Sequence, residues 1–101
     1  KIVNGVLTSV TAADLDANGH FYSTEVIKVA NEVFYDMDSL VSVDLPNCKE
    51  IGNYCFRYNQ ALTSVSLPAL TTCGYDCFSY NQALTSVSLP ALTTCGNYCF
   101  S

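Results

Sequence analysis

The sixteen residues from Asn59 to Gly74, NQALTSVSLPALTTCG, recur without a change from Asn81 to Gly96, displaced by 22 positions. A repeat of this period restricts the chain more than any local propensity does. One unit cannot bury its own apolar edges, so neighbouring units must stack and supply each other's core. Within the unit, the pattern L-x-x-V-x-L-P puts Val65 and Leu67 on one face of a short strand, with Ser64 and Ser66 on the other. Pro68 ends that strand, and stacking aligns Leu40, Leu62 and Leu84 in one column of parallel strands. The unit thereby acquires sides. Leu62, Val65, Leu67, Leu70, Cys73, Cys77 and Phe78 face inward, Ser and Thr face outward, and Asn, Gln and Tyr occupy the turn.

The frame extends toward the N-terminus. Leu40, Val43 and Leu45 take the places of Leu62, Val65 and Leu67, and Val26, Val29, Ala30, Val33 and Phe34 those of Leu70, Cys73, Gly74, Cys77 and Phe78. Near the start, Leu7-Thr8-Ser9-Val10 repeats Leu62-Thr63-Ser64-Val65. Aligning those strings begins the solenoid at Lys1, opposite Phe78, and leaves an insertion of 11 residues at positions 12–22 of the first coil. The expected architecture is a single solenoid domain over residues 1–101, α/β or mainly β, in about four coils. These run at approximately 1–33, 34–55, 56–77 and 78–101, with the last incomplete.

Residues 14–25 carry the sharpest local motif. Asp14, Asp16, Asn18, Gly19 and Glu25 fit D-x-[DN]-x-[DN]-G-x5-E, in which alternate oxygens and a distant carboxylate surround a calcium ion. The flanks argue against it. TSVTAA is too short and too β-branched for an entering helix, and a solvated turn at Ala17-Asn18-Gly19 explains the same letters. Calcium binding by this loop is left open.

Composition removes several functions. The four Lys and Arg residues among 101, with a net charge of −5, cannot neutralise many phosphates, which argues against nucleic acid. No apolar run reaches membrane-spanning length, and Lys1 onward carries no signal-peptide pattern, so secretion implies a leader already removed. The opening KIVNG matches the new N-terminus of an activated chymotrypsin-like protease, but His20 is the lone histidine and no Gly-Asp-Ser-Gly follows. His20 reads as a polar turn residue, and no catalytic, cofactor-binding or metal-ligating residue is assigned. Beyond Glu50 the only acid is Asp76, and Arg57 is the last base, so the second half is a nearly neutral surface suited to self-association.

The recurring L-x-x-V-x-L-P followed by L-x-x-[CI]-G-x-x-C-F resembles the BspA-like subclass of leucine-rich repeats, found in bacterial and protist surface proteins. The likeness covers nearly everything outside residues 12–22. It implies a right-handed leucine-rich-repeat solenoid with a parallel sheet on one side and irregular or short helical segments on the other. It also implies a non-enzymatic adhesion or interaction role at the cell surface or outside the cell. The departures are specific: the usual Ile before Gly is kept as Ile51 but becomes Cys73 and Cys95, the usual Ala before Phe becomes Cys55, Cys77 and Cys99, and a common later Cys is Asn59 and Asn81.

Those Ile and Ala positions lie inside the coil, so buried free thiols are the first expectation for the cysteines. Disulfides come second, either Cys73 with Cys77 or Cys77 with Cys99, and zinc third, although the C-x3-C spacing admits it. Tyr58 with Tyr80, Asn59 with Asn81 and Gln60 with Gln82 form columns at the turn; tyrosines there either cover the coil edge or grip a sugar or a protein. Two functions follow. Because the sequence stops in mid-unit, with Ser101 opposite Ser79, head-to-tail stacking into a filament is the leading expectation. The alternative is an adhesion or carbohydrate- or protein-binding module of a larger surface protein.

Overall fold

A computed structural model describes residues 1–100; Ser101, which the repeat matches to Ser79, lies outside the described residues. The inward set chosen from the sequence is the core: Leu62, Val65, Leu67, Leu70, Cys73, Cys77 and Phe78 are all buried. Ten short strands carry the coils. They are β1 (Ile2–Val3), β2 (Val6–Leu7), β3 (His20–Tyr22), β4 (Lys28–Val29), β5 (Ser42–Asp44), β6 (Glu50–Ile51), β7 (Ser64–Ser66), β8 (Thr72–Cys73), β9 (Ser86–Ser88) and β10 (Thr94–Cys95). Among the described residues the one helical piece is a 3-10 turn at Ala12–Asp14. The fold is mainly β, a solenoid of about four turns.

Two parallel sheets form where one was expected. β3, β5, β7 and β9 make the first, and β2, β4, β6, β8 and β10 make the second. The second was hidden because its strands are two residues long, too short to display an alternating pattern. Every parallel pairing joins residues 22 apart, such as Val43 with Val65 and Ile51 with Cys73.

This register corrects the reading of the N-terminus. Leu7 pairs with Val29 and Phe21 with Val43, so the 22-residue spacing already holds in the first coil and residues 12–22 are not an insertion. The match of Leu7-Thr8-Ser9-Val10 to Leu62-Thr63-Ser64-Val65 is a coincidence of letters. Nor does Lys1 start a coil. β1 folds back antiparallel on β2 through Asn4-Gly5, both at positive φ (50° and 80°), the pairing a tight hairpin turn requires. The hairpin covers the outer edge of the second sheet.

Four phenylalanines make the axis of the core. Phe34, Phe56, Phe78 and Phe100 stack with centroids 4.9, 5.2 and 5.2 Å apart and planes within 5° of parallel. Those separations fall within the roughly 4.5–7 Å that aromatic pairs favour and match the pitch of the coils, so ring stacking and strand spacing agree. Phe21 closes the column edge-on to Phe34, at 5.5 Å and 68°.

Asn59, expected at the turn, is fully buried. Its Oδ1 accepts from the Met37 N–H at 2.7 Å, and its Nδ2 donates to the carbonyls of Phe34 and Phe56 at 2.6 and 2.9 Å. Its own N–H donates to Asn81 Oδ1 at 2.8 Å. A carboxamide offers a donor and an acceptor together, which a turn leaving both backbone types unpaired requires. A second ladder runs through Asn31 Oδ1, which accepts from the Asn53 N–H at 2.9 Å, and Asn53 Oδ1, which accepts from the Tyr75 N–H at 3.0 Å. The glycine preceding each of those donors makes room: a Cβ on Gly74 would lie 2.4 Å from Asn53 Oδ1. Asn59→Ala leaves one N–H and two carbonyls without their side-chain partner. We expect it to lower unfolding stability by about 3 kcal/mol, on a scale of roughly 1–3 kcal/mol per orphaned buried group, read as a lower urea midpoint.

Candidate functional site

The turn side of each coil places two residues in the left-handed region. One column is Glu32, Tyr54, Asp76 and Tyr98, the other Asp36, Tyr58 and Tyr80, with φ between 52° and 63°. The cause is hydrogen bonding between coils. Glu32, Tyr54 and Asp76 each donate their N–H to the next coil, to the carbonyls of Asn53, Tyr75 and Asn97, all at 3.0 Å. Asp36 and Tyr58 donate likewise to Arg57 and Ser79, at 2.9 and 3.2 Å. Asn, Asp and Gly fill such positions most cheaply, whereas tyrosine there costs about 1 kcal/mol or more. Four tyrosines sit in these positions regardless.

Three of them, Tyr54, Tyr58 and Tyr80, build an aromatic edge around one cation. Tyr58 and Tyr80 stack at 4.8 Å and 20°, as their column predicts, while Tyr35 meets Tyr58, and Tyr54 meets Tyr75, edge-on at 5.8 and 5.2 Å. The Arg57 guanidinium lies 4.7, 5.0 and 5.4 Å from the ring centroids of Tyr58, Tyr80 and Tyr54. Its Nη2 donates to the Tyr58 hydroxyl at 3.3 Å, whereas its Nε is buried without a hydrogen-bond partner. Stacking on the rings therefore holds this side chain more than hydrogen bonding does. Beside it, Glu32, Tyr35, Tyr54 and Arg57 enclose a shallow concavity of about 190 Å³. Sequence reasoning found Tyr58 and Tyr80 but missed Arg57, Tyr35, Tyr54 and Tyr75; the available signal was Tyr-x-x-Arg-Tyr at positions 54–58.

The calcium motif does not assemble. Asp14 Oδ2 accepts from the Thr11 N–H at 2.8 Å and caps the 3-10 turn, and Asp16 Oδ1 accepts from the N–H groups of Asn18 and His20 at 2.8 and 3.0 Å. The bond from His20, then that from Asn18, holds the Asp16 carboxyl below its ordinary range. Both carboxylates thus serve their own backbone. Strand β3 separates them from Glu25, whose loop follows it. His20 is half-buried on that strand with Nδ1 against the Ser42 hydroxyl, not in a turn. On the second sheet, an open groove of about 590 Å³ is crossed by the Lys28–Glu50 ion pair at 2.8 Å. Both partners are about half exposed, so the pair contributes little to stability.

The six cysteines are free thiols, five of them buried. Four of them lie in the last two coils, where Cys73 and Cys95 continue the column of Val29 and Ile51. The Sγ atoms of Cys73, Cys95 and Cys99 lie within 4.8 Å of one another, with Cys73 and Cys99 only 3.2 Å apart. Hydrogen bonding to Cys77, then to Cys99, holds the Cys73 thiol well above its ordinary range. The Cys73 contact pulls Cys77 the other way, yet Cys77 Sγ also lies 2.9 Å from the Gly52 carbonyl, where only a protonated thiol is welcome. Cys77 is therefore a protonated thiol that donates to this carbonyl. Burial pushes Cys48 up to about 11.

Comparison with known proteins agrees with this architecture. No match was found among curated proteins or among solved structures. A family model for the BspA type leucine rich repeat region, in six copies, matches residues 19–101. Repeats of this type are typical of surface proteins, and no helix among the described residues is long and apolar enough to cross a membrane. With stacked parallel strands 22 residues apart and a family match over most of its length, this chain belongs to the BspA-type leucine-rich repeat family.

Proposed function

We propose that the chain is a non-enzymatic recognition module of an extracellular or cell-surface protein, and that it binds carbohydrate along the Tyr–Arg edge. The observation that carries this reading is the set of tyrosines in left-handed positions around Arg57. Strained residues that the fold could fill more cheaply point to a use beyond folding. The edge offers exposed side chains at Tyr75 and Tyr80 and a concavity with one acid and one base. Flat rings stack on the apolar faces of a sugar while Glu32 and Arg57 supply an acceptor and donors to its hydroxyls. The chain contains no Trp, so its emission comes from seven tyrosines, of which Tyr35, Tyr54, Tyr58, Tyr75 and Tyr80 belong to this edge. We expect an array of surface polysaccharide fragments to retain the protein, and Tyr80→Ala and Arg57→Ala each to weaken binding about 30-fold, the scale of an interface hot spot. An array that retains nothing, or variants that bind unchanged, would refute the carbohydrate reading.

A second reading, self-association, rests on a different observation. In the last coil Leu84, Val87, Leu89 and Leu92 are only half-buried, and Phe100 is 56% exposed, whereas Phe78 one coil earlier is 3% exposed. A second copy stacked on that face would bury the same side chains that each coil buries on its neighbour. The β1–β2 hairpin limits how that copy docks. It occupies the second sheet's edge at the other end, so β3 is left to receive β9 of the next molecule. Sedimentation and electron microscopy should show growth with concentration that Phe100→Asp abolishes; monodisperse monomers at high concentration would rule the reading out.

A further inference from the structure

We propose that Cys73, Cys95 and Cys99 form a binding site for a thiophilic d10 metal ion, specifically Zn²⁺, between the last two coils. Three observations lead there. First, the three sulfurs converge within 4.8 Å, and their spread from that limit down to 3.2 Å brackets the separation a zinc ion imposes. Tetrahedral bonds of about 2.3 Å place sulfurs about 3.8 Å apart. Second, the Cys73–Cys99 contact is closer than the roughly 3.5–4.0 Å at which non-bonded heavy atoms usually settle. An S–H···S hydrogen bond accounts for that closeness, and it holds two sulfurs facing each other where a small outward shift of about 0.6 Å admits an ion. Third, the placement is local. The preceding coil has Ile51 with Cys55, and only from Cys73 onward do both columns carry sulfur.

The coordination is that of an accessible site. Cys73 and Cys99 are buried and fix two ligands from the interior, while Cys95 is exposed and admits the ion. The Cys95-x3-Cys99 spacing lies within the range that structural zinc pairs use. Cys77 engages the Gly52 carbonyl through its sulfur and is not among the three that converge, which leaves the fourth position of the tetrahedron to a water molecule. Binding converts three thiols to thiolates, and their three protons leave to solvent. Zn²⁺ then offsets two of the three negative charges in a region without any Lys or Arg beyond Arg57. Because the protons must leave, affinity falls as pH falls.

The test uses the full chain, kept reduced with a phosphine, and Co²⁺ as a coloured stand-in for Zn²⁺. We expect one Co²⁺ per chain, with a thiolate-to-cobalt charge-transfer band, visible bands of tetrahedral intensity, and displacement by one equivalent of Zn²⁺. Cys95→Ser changes an exposed position and should leave the fold intact. It should nonetheless weaken binding by more than the roughly 10–100-fold that loss of a mere supporting contact costs. Cys48→Ser, outside the cluster, should bind as the parent does. Absence of the charge-transfer band, or an unchanged band in Cys95→Ser, would overturn the proposal. So would mass spectrometry of chain purified with zinc and without reductant, if it found Cys73 joined to Cys99 and no metal.

Discussion

Each coil leaves backbone N–H groups on its turn side that only the next coil can satisfy. Phe34, Phe56 and Phe78 donate to the carbonyls of Cys55, Cys77 and Cys99 at 2.9, 2.8 and 2.7 Å, flanked by the bonds from the left-handed residues. After the strands of the second sheet the direction reverses, with Gly52 and Gly74 donating back to Val29 and Ile51 at 3.0 and 3.1 Å. A buried donor left unpaired costs roughly 1–3 kcal/mol, so a coil of the wrong length would forfeit several such bonds at once. This explains why the repeat length is held through the first coil although its letters are not. It also explains why Phe rings stack nearly parallel at the same interval from coil to coil.

The same constraint sorts positions by how freely they can change. Glycine at 52 and 74 is fixed by the side-chain oxygen packed against it, and Asn59 by three backbone partners. A left-handed turn position, in contrast, demands a backbone conformation and leaves its side chain pointing away from the core. Its occupants here are Glu, Asp and Tyr. Chemistry accumulates where the backbone is dictated and the side chain is not. The Tyr–Arg edge is built on such positions, and Arg57 is held there by rings whose own placement the coil fixes.

How much was legible in the sequence follows from this. The inward column from Leu62 to Phe78 could be read because period-two alternation and a verbatim repeat point the same way. The first coil could not. Its one exact match, Leu7-Thr8-Ser9-Val10, reflects letters, whereas the structure conserves spacing, and Phe21 and Leu7 satisfy the spacing with different letters. Asn-Gly at positions 4–5 was a hairpin signal overlooked because the repeat seemed to begin at Lys1. Asn59 serves the turn where its column places it, but polarity alone does not reveal that it is buried there, with its amide matched to backbone groups. The acidic motif failed for a related reason: backbone donors within its own loop claim Asp14 and Asp16. Arg57 drew no notice as a lone base, because its significance lies in rings contributed by two coils.

Residues 59–74 and 81–96 are identical, yet they do not occupy identical environments. Cys73 is buried and Cys95 exposed; Leu62 is buried and Leu84 only half so. Burial in a solenoid is therefore a property of position in the stack rather than of the unit. The same reasoning governs the sulfurs. A cysteine in the Ile51 column serves as a small apolar side chain wherever a coil covers it on both sides. Set beside Cys99 with one face open, as Cys95 is, it becomes a ligand that a metal ion can reach. Identical letters thus take on different chemistry wherever their cover by neighbouring coils differs.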